Sequence, residues 1–250
     1  MSIGDAEIKT QERVIRFFKD PEILGYQYIG NLSDYQNKNI KEDRLRQYLR
    51  LKGYADKLID AAVMQLQQEA GNLSRGVYDA NKTVYSRLKY GIPVSESPEK
   101  SPVTVELIDE ANPLNNDFAI AEEVTVVEQS EKRPDLVVYL NGIAVAVIEL
   151  KRSGVSVSEG IRQNLTNQKN SFIQGFFTTM QFCMAGNESE GLRYGTLLTG
   201  EKFYMEWKDD GFKEHEEERD PVDVRISKTC EGIENKLLKQ IYAMLSLIHI

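Results

Sequence analysis

The segment RPDLVVYLNGIAVAVIELKR, residues 133–152, decides how the rest of this chain is read. Asn141-Gly142 lies between two apolar, β-branched runs. A type I′ turn needs positive φ at both central positions, which Asn and Gly tolerate best. The segment therefore reads as a hairpin, with "DLVVYL" antiparallel to "IAVAVIELK". Side chains alternate across a strand, so Glu149 and Lys151 share a face, and Asp135 shares one with Val137 and Tyr139. A plain two-residue loop pairs Leu140 with Ile143 and Asp135 with Ile148, which turns Asp135 away from Glu149. One bulge, or a three-residue loop, changes the parity and gathers Asp135, Glu149 and Lys151 on one side. Charges at the ends of so apolar a hairpin cost free energy unless each has a partner or a task.

If the three side chains converge, the chemistry is specific. Two carboxylates, Asp135 and Glu149, with a backbone carbonyl such as that of Leu150, make an all-oxygen site suited to Mg²⁺. Such an ion lowers the pKa of a bound water and stabilises charge on phosphoryl oxygens. Lys151 can orient or deprotonate the attacking water and offset transition-state charge. A phosphodiester is the fitting substrate. Spacing alone favours a charge pair on an edge strand, Lys151 reaching to water along its apolar stem. The position of the acids, at the ends of apolar strands joined by a clear turn and with a polar helix following, favours the site.

Outward from the hairpin, the first third reads as mainly helical. "DAEIKTQERVIRFFKD" sets Ile8, Val14, Ile15, Phe17 and Phe18 on one broad face, and Asp20-Pro21 closes it. "LGYQYIGNL" reads as a short extended piece. Helical spacing returns in "NIKEDRLRQYLRLKGY", "ADKLIDAAVMQLQQEAG" and "DANKTVYSRLKYG", which stop at Gly53, Gly71 and Gly91. "SESPEKSP", residues 95–102, is a polar, proline-flanked loop. Strand-like runs follow: "VTVELID", "FAIAEEVTVV" and the two arms of the hairpin. "VSEGIRQNLTNQKNSF" reads as a helix, then "QFCMAGNE", "LRYGTLLTG" and "KFYMEW" as strands. The tail from Ile233 is an amphipathic helix expected to run to the last residue. Its end, "MLSLIHI", has no polar cap and reads either as a cut from a longer polypeptide or as final residues that are not native. The order, helices then ββββ-helix-βββ, predicts a mixed α/β (α+β) fold. Residues 1–91 form a helical section packing on the core, 92–208 the core itself, and 209–250 an acidic linker and helix leading onward.

Composition narrows the chemistry. With 250 residues and 28% charged side chains the chain reads as globular. The apolar run Ile143–Ile148 is far too short to cross a bilayer, and the N-terminus has no secretory segment, so the cytoplasm is the expected location. Two cysteines without metal-ligand spacing argue against a disulfide framework or a zinc site. Only His215 and His249 are available, which makes a His-dependent nucleophile hard to build. A net charge of −8 argues against a general nucleic-acid coat but leaves room for a local basic patch. Much of the acidity lies in "KDDGFKEHEEERD", residues 208–220, which reads as a solvated linker. "GTLLTGEK", residues 195–202, approaches a P-loop but has Glu201 where that motif needs lysine, so it reads as a strand and a turn.

"RPD" followed by "ELK" after an apolar strand resembles the PD-(D/E)-x-K nucleases. "YDANKTVYSRLKYG", "VELIDEANPLNNDFAIAEEVTV" and "RPDLVVYLNGIAVAVIELKRSG" resemble the N-terminal region of the R (restriction, motor) subunit of type I restriction–modification enzymes, from about Glu12 to Trp207. The resemblance implies a restriction-endonuclease-like mixed sheet flanked by helices, and a Mg²⁺-dependent endonuclease with Asp135, Glu149 and Lys151 as catalytic residues and Asp135 and Glu149 as metal ligands. It implies double-stranded DNA as substrate, with methyltransferase and specificity subunits as partners. ATP would serve only a motor region missing from this chain. Such nucleases often carry Gln-x-x-x-Tyr on the next helix. Gln163 fits the glutamine, near the DNA backbone, but Asn167 stands where the tyrosine would be, which puts a stacking role there in doubt. Arg152 and Arg162 are the further cations expected to meet DNA. A helical glutamate before the sheet is also common in the family, and Glu42 is a candidate among several acids. The alternative reading is an assembly module docking the motor onto the methyltransferase core, with a degenerate site.

Overall fold

The structure is a computed structural model and describes residues 3–95, 97, 99–206 and 233–246. The N-terminal third supplies α1 (Ile3–Lys19), β1 (Gln27–Asn31), α2 (Glu42–Leu51), α3 (Asp56–Gly71) and α4 (Val77–Tyr90). Then come β2 (Ile92–Val94), β3 (Val103–Val105), β4 (Phe118–Glu122), β5 (Val126–Val127), β6 (Glu131–Lys132), β7 (Leu136–Leu140) and β8 (Ile143–Leu150). Helix α5 (Val157–Asn167), strands β9 (Phe182–Asn187), β10 (Gly191–Gly195) and β11 (Met205–Glu206), and α6 (Lys236–Ser246) complete the described chain. The mixed α/β class read from the sequence is the one observed.

Seven strands form one mixed sheet in the order β1-β4-β7-β8-β9-β10-β11. β1 runs parallel to β4 and β8 parallel to β9, while the other neighbours are antiparallel. The helical front section thus donates an edge strand to the main sheet. β2–β3 and β5–β6 are separate two-stranded ribbons.

The sheet is covered on both sides. One face, with Leu136, Val138, Ile143, Ile148 and Met184, joins a core shared with Val14 and Phe18 of α1, Leu45 and Leu49 of α2, Leu66 of α3, Val84 of α4, and Leu237 and Ile241 of α6. The other face, with Ala121, Val137, Tyr139, Val147 and Cys183, packs under the 3₁₀ turn Gln174–Thr179 through Phe176 and Phe177. Further along it, Val157 and Ile161 of α5 meet Ala185. Each large apolar side chain so buried contributes about 1.5–3 kcal/mol relative to exposure.

Several elements differ in extent from the sequence reading. "FAIAEEVTVV" is broken at Glu123, whose φ of 50° ends β4 before β5 begins. The helix after the hairpin stops at Asn167, and the Ile173 N–H turns back to the Asn167 carbonyl at 3.2 Å. In "KFYMEW" only Met205–Glu206 pairs among the described residues, because Glu201–Phe203 forms a 3₁₀ turn. "GTLLTGEK" is the end of β10 and a turn, as read. α6 begins at Lys236, where Asn235 Oδ1 accepts from the Leu238 N–H at 3.1 Å. The acidic run 208–220, Cys230, both histidines and the last four residues lie outside the described residues. Among the described residues no helix is long and apolar enough to cross a membrane.

Candidate active site

The site is set by one irregularity in the hairpin. Asn141 and Gly142 take φ of 52° and 82°, as a type I′ turn requires. Leu140 faces Ile143 and Tyr139 faces Ala144, but Val138 then faces Ala146. Val145 is therefore an extra residue, and its carbonyl is taken instead by the Gln181 N–H at 2.7 Å. Beyond this bulge Val137 faces Val147 and Leu136 faces Ile148, a register that carries Asp135 opposite Glu149. A hairpin without the bulge would leave the two carboxylates on opposite faces.

Glu149 lies near the end of β8, a strand buried at all eight positions because it is central in the sheet and covered on both faces. Its side chain has no solvent exposure. Gln163 of α5 donates to Oε2 at 2.6 Å, and Oε1 has no hydrogen-bond partner. Helix α5 comes this close at Gly160, where a Cβ would stand 2.9 Å from Ala185 Cβ and 3.4 Å from Glu149 Cβ. Asp135 is half-buried and accepts the Leu150 N–H at 2.7 Å.

Burial pushes the Asp135 carboxyl up to about 6, opposed by the charge of Lys151 and the Leu150 N–H. Burial, and then the neighbouring Asp135 charge, hold Glu149 well above the usual carboxylate range. Two carboxylates placed this way cannot both ionise cheaply without a cation between them. Lys151 Nζ is 3.0 Å from the Leu150 carbonyl and 3.3 Å from Glu7 Oε1.

The sequence-predicted residues thus divide. Asp135, Glu149, Lys151 and Gln163 come together. Arg152 stands just past the strand, half-buried and without an ion pair among the described residues. Arg162 is exposed and held by Glu201 at 3.0 Å and Glu159 at 2.8 Å. Asn167 is buried. Glu42 is elsewhere, paired with Arg46 at 2.7 Å and Gln67 at 2.8 Å.

The helical acid that does reach the site is Glu7. One turn on, Gln11 donates to Glu122 at 2.9 Å and Glu123 at 3.2 Å. Glu123 is tied to the site strand through its N–H, which donates to the Asp135 carbonyl at 2.8 Å, and through Arg133 at 2.8 Å. The sequence signals for these residues were the i, i+4 pair Glu7–Gln11 on the polar side of α1 and the doublet Glu122-Glu123 at a strand end.

Could this arrangement hold a divalent ion? Among the described residues no group of three or more His, Cys, Asp or Glu side chains is placed to do so. The donors on hand are Asp135, Glu149 and the Leu150 carbonyl, all oxygen, with Glu149 Oε1 unpartnered in the interior. That set fits a hard cation that keeps several of its waters.

The profile of the type I restriction enzyme R protein N terminus matches residues 7–203. The chain belongs to this family. Among R-protein relatives, a type I restriction enzyme endonuclease subunit from Staphylococcus saprophyticus is 25% identical over 140 residues, 54% of this chain and 14% of its own length. One from Staphylococcus aureus (strain MSSA476) is 26% identical over 115 residues, 44% of this chain and 12% of its own length. The matched part of the chain spans only 12–14% of the length of these endonuclease subunits. The matched region runs from Glu7 past Lys151 and Gln163, so it contains every side chain of the cluster.

Proposed function

We propose that this chain is the Mg²⁺-dependent endonuclease domain of a type I restriction enzyme R subunit, in the PD-(D/E)-x-K superfamily. It would cleave double-stranded DNA in the cytoplasm when the rest of the subunit drives ATP-dependent translocation. The observation that carries this reading is the Val145 bulge, which sets Asp135 opposite Glu149 beside Lys151. Residues 92–208 would be the nuclease core, with 1–91 packed on it and 209–250 leading toward the motor. Methyltransferase and specificity subunits would deliver the DNA.

Asp135, Glu149 and the Leu150 carbonyl would hold the ion, which when bound supplies an acidified water and charge stabilisation at the phosphoryl oxygens. The protein's own groups do the rest. Gln163 holds Oε2 of the Glu149 carboxylate, which leaves Oε1 available to a ligand. Lys151, beside the Leu150 carbonyl, would orient the attacking water and offset charge at the phosphoryl group in the transition state. Glu7 is a positioning residue that holds the ammonium next to the Leu150 carbonyl. Arg152, half-buried just past β8, would meet a backbone phosphate.

The test uses the reconstituted enzyme. Lys151→Ala abolishes DNA cleavage while ATP hydrolysis and translocation continue. A Lys151→Ala enzyme that restricts normally sinks the assignment and leaves the chain as a non-catalytic assembly module.

A further inference from the structure

A surface of α4, away from the carboxylates, has the make-up of a polymer-binding strip. Tyr78, Lys82, Tyr85 and Lys89 follow at i, i+4, i+7 and i+11. At 100° per residue they fall within an arc of about 60°. All four are exposed, while Val77, Ala80, Val84 and Leu88 turn the other side of the helix into the core. Of the exposed tyrosines among the described residues, Tyr35, Tyr78, Tyr85 and Tyr90, three are on this one helix. Single exposed aromatic rings are ordinary on a protein surface, but three on one helix form a concentrated patch of the kind that marks interaction sites.

Charge points the same way. Arg75 precedes the helix and lines with Lys82, Thr83 and Ser86 a groove of about 540 Å³. Arg75, Lys82 and Lys89 have no carboxylate partner among the described residues. Of the acids beside Arg75 and Lys82, Glu69 is neutralised by Arg87 in two contacts of 2.8 Å, which leaves Asp79 against these two cations, while Lys89 at the far end lines a hollow with Glu106, Asp109 and Glu110. The excess of positive charge therefore lies at the Arg75–Lys82 end of the strip, on a chain of net charge −8.

We infer that the α4 strip, Arg75, Tyr78, Lys82, Tyr85 and Lys89, is a binding site for single-stranded nucleic acid. The two rings are about 10 Å apart, seven residues at 1.5 Å each. They would stack on bases while the cations track phosphates, the combination used where strands are held without sequence readout. A duplex keeps its bases stacked on one another and offers the rings no face. The strip is not a wall of the carboxylate site. Asn81 anchors α4 to the Thr178 and Met180 carbonyls at 3.1 and 2.8 Å, just before β9. That is the end of β9 that faces Ala146, whereas Glu149 faces Ala185 about 10 Å along the strand. The inference therefore goes beyond the nuclease reading and does not depend on it.

Anisotropy of a labelled oligothymidylate, in chelator and low salt, tests it without any cleavage. The wild-type chain binds the single strand more tightly than a duplex of equal length. Tyr78→Ala with Tyr85→Ala weakens binding about tenfold or more, the order expected for lost stacking. The Tyr→Phe pair retains it. Lys82→Gln with Lys89→Gln flattens the dependence of log Kd on log salt by about 1.4. All four side chains are exposed, and unchanged thermal unfolding of each variant shows that the fold is intact. An oligouridylate arm separates an RNA strand from a DNA strand as occupant. Absence of wild-type binding, an unaffected Tyr→Ala pair, equal affinity for the duplex, or equal displacement by polyglutamate overturns the proposal.

Discussion

Glu149 is a carboxylate with no solvent exposure, one good hydrogen bond and one unpartnered oxygen. Without a cation it costs stability, and that cost is measurable. Glu149 and Asp135 both have folded-state pKa values above their ordinary ones. Between the ordinary carboxylate range and about 6 the native chain holds protons that the unfolded chain has released. Stability of the metal-free chain therefore falls as pH rises through that window. Thermal unfolding in chelator from pH 5 to pH 8 should show the decline. Glu149→Gln keeps the shape and removes the charge, so it should raise the unfolding temperature at pH 8 by a few degrees, flatten the pH dependence and abolish Mn²⁺ binding by calorimetry. An unfolding temperature for Glu149→Gln below wild type under those conditions contradicts the buried-charge account. A fold that retains such a group against stability is the usual mark of a functional site.

At the scale of elements, the hairpin shows how much was legible. The turn at Asn141-Gly142 and both arms were readable from composition and alternation. So was the condition on the register, that one extra residue must intervene for the acids to meet. Which residue supplies it was not readable. Val145 bulges because distant segments take up neighbouring backbone groups: the Gln181 N–H reaches the Val145 carbonyl, and the Ala144 N–H reaches the Asn39 carbonyl at 2.8 Å. The turn is held as firmly. A Cβ on Gly142 would stand 2.7 Å from the Lys41 carbonyl and 2.8 Å from the Leu45 N. Gly142→Ala should cost about 1–3 kcal/mol from the strained φ alone, with the contact in addition. Denaturant unfolding of that variant checks it, and a change within error of zero would mean that α2 can shift away from the turn.

Across the whole molecule, the front helices, the sheet and α6 share one core. Leu237 and Ile241 are almost fully buried, the Phe17 and Tyr242 rings meet edge-on at 6.4 Å, and Gln240 accepts the Leu192 N–H at 2.6 Å. Helix α6 thus closes the sheet over β10. Leu237→Ala and Ile241→Ala should each cost about 2–5 kcal/mol, as cavities in a packed core do. Both should lower the unfolding temperature in a single transition. A separate early transition would show α6 docking as an independent unit.

The sequence by itself determined the mixed class, most of the helices and central strands, and the identity of the paired acids and the lysine. Those features depend on local periods and turn chemistry that neighbouring residues carry together. Tertiary structure alone decided the Val145 bulge, the choice of Glu7 over Glu42 as the helical acid at the site, and the capture of Arg162 by Glu201. Each of these depends on where a segment tens of residues away docks, and hydrophobic periodicity specifies which face is buried but not which partner covers it.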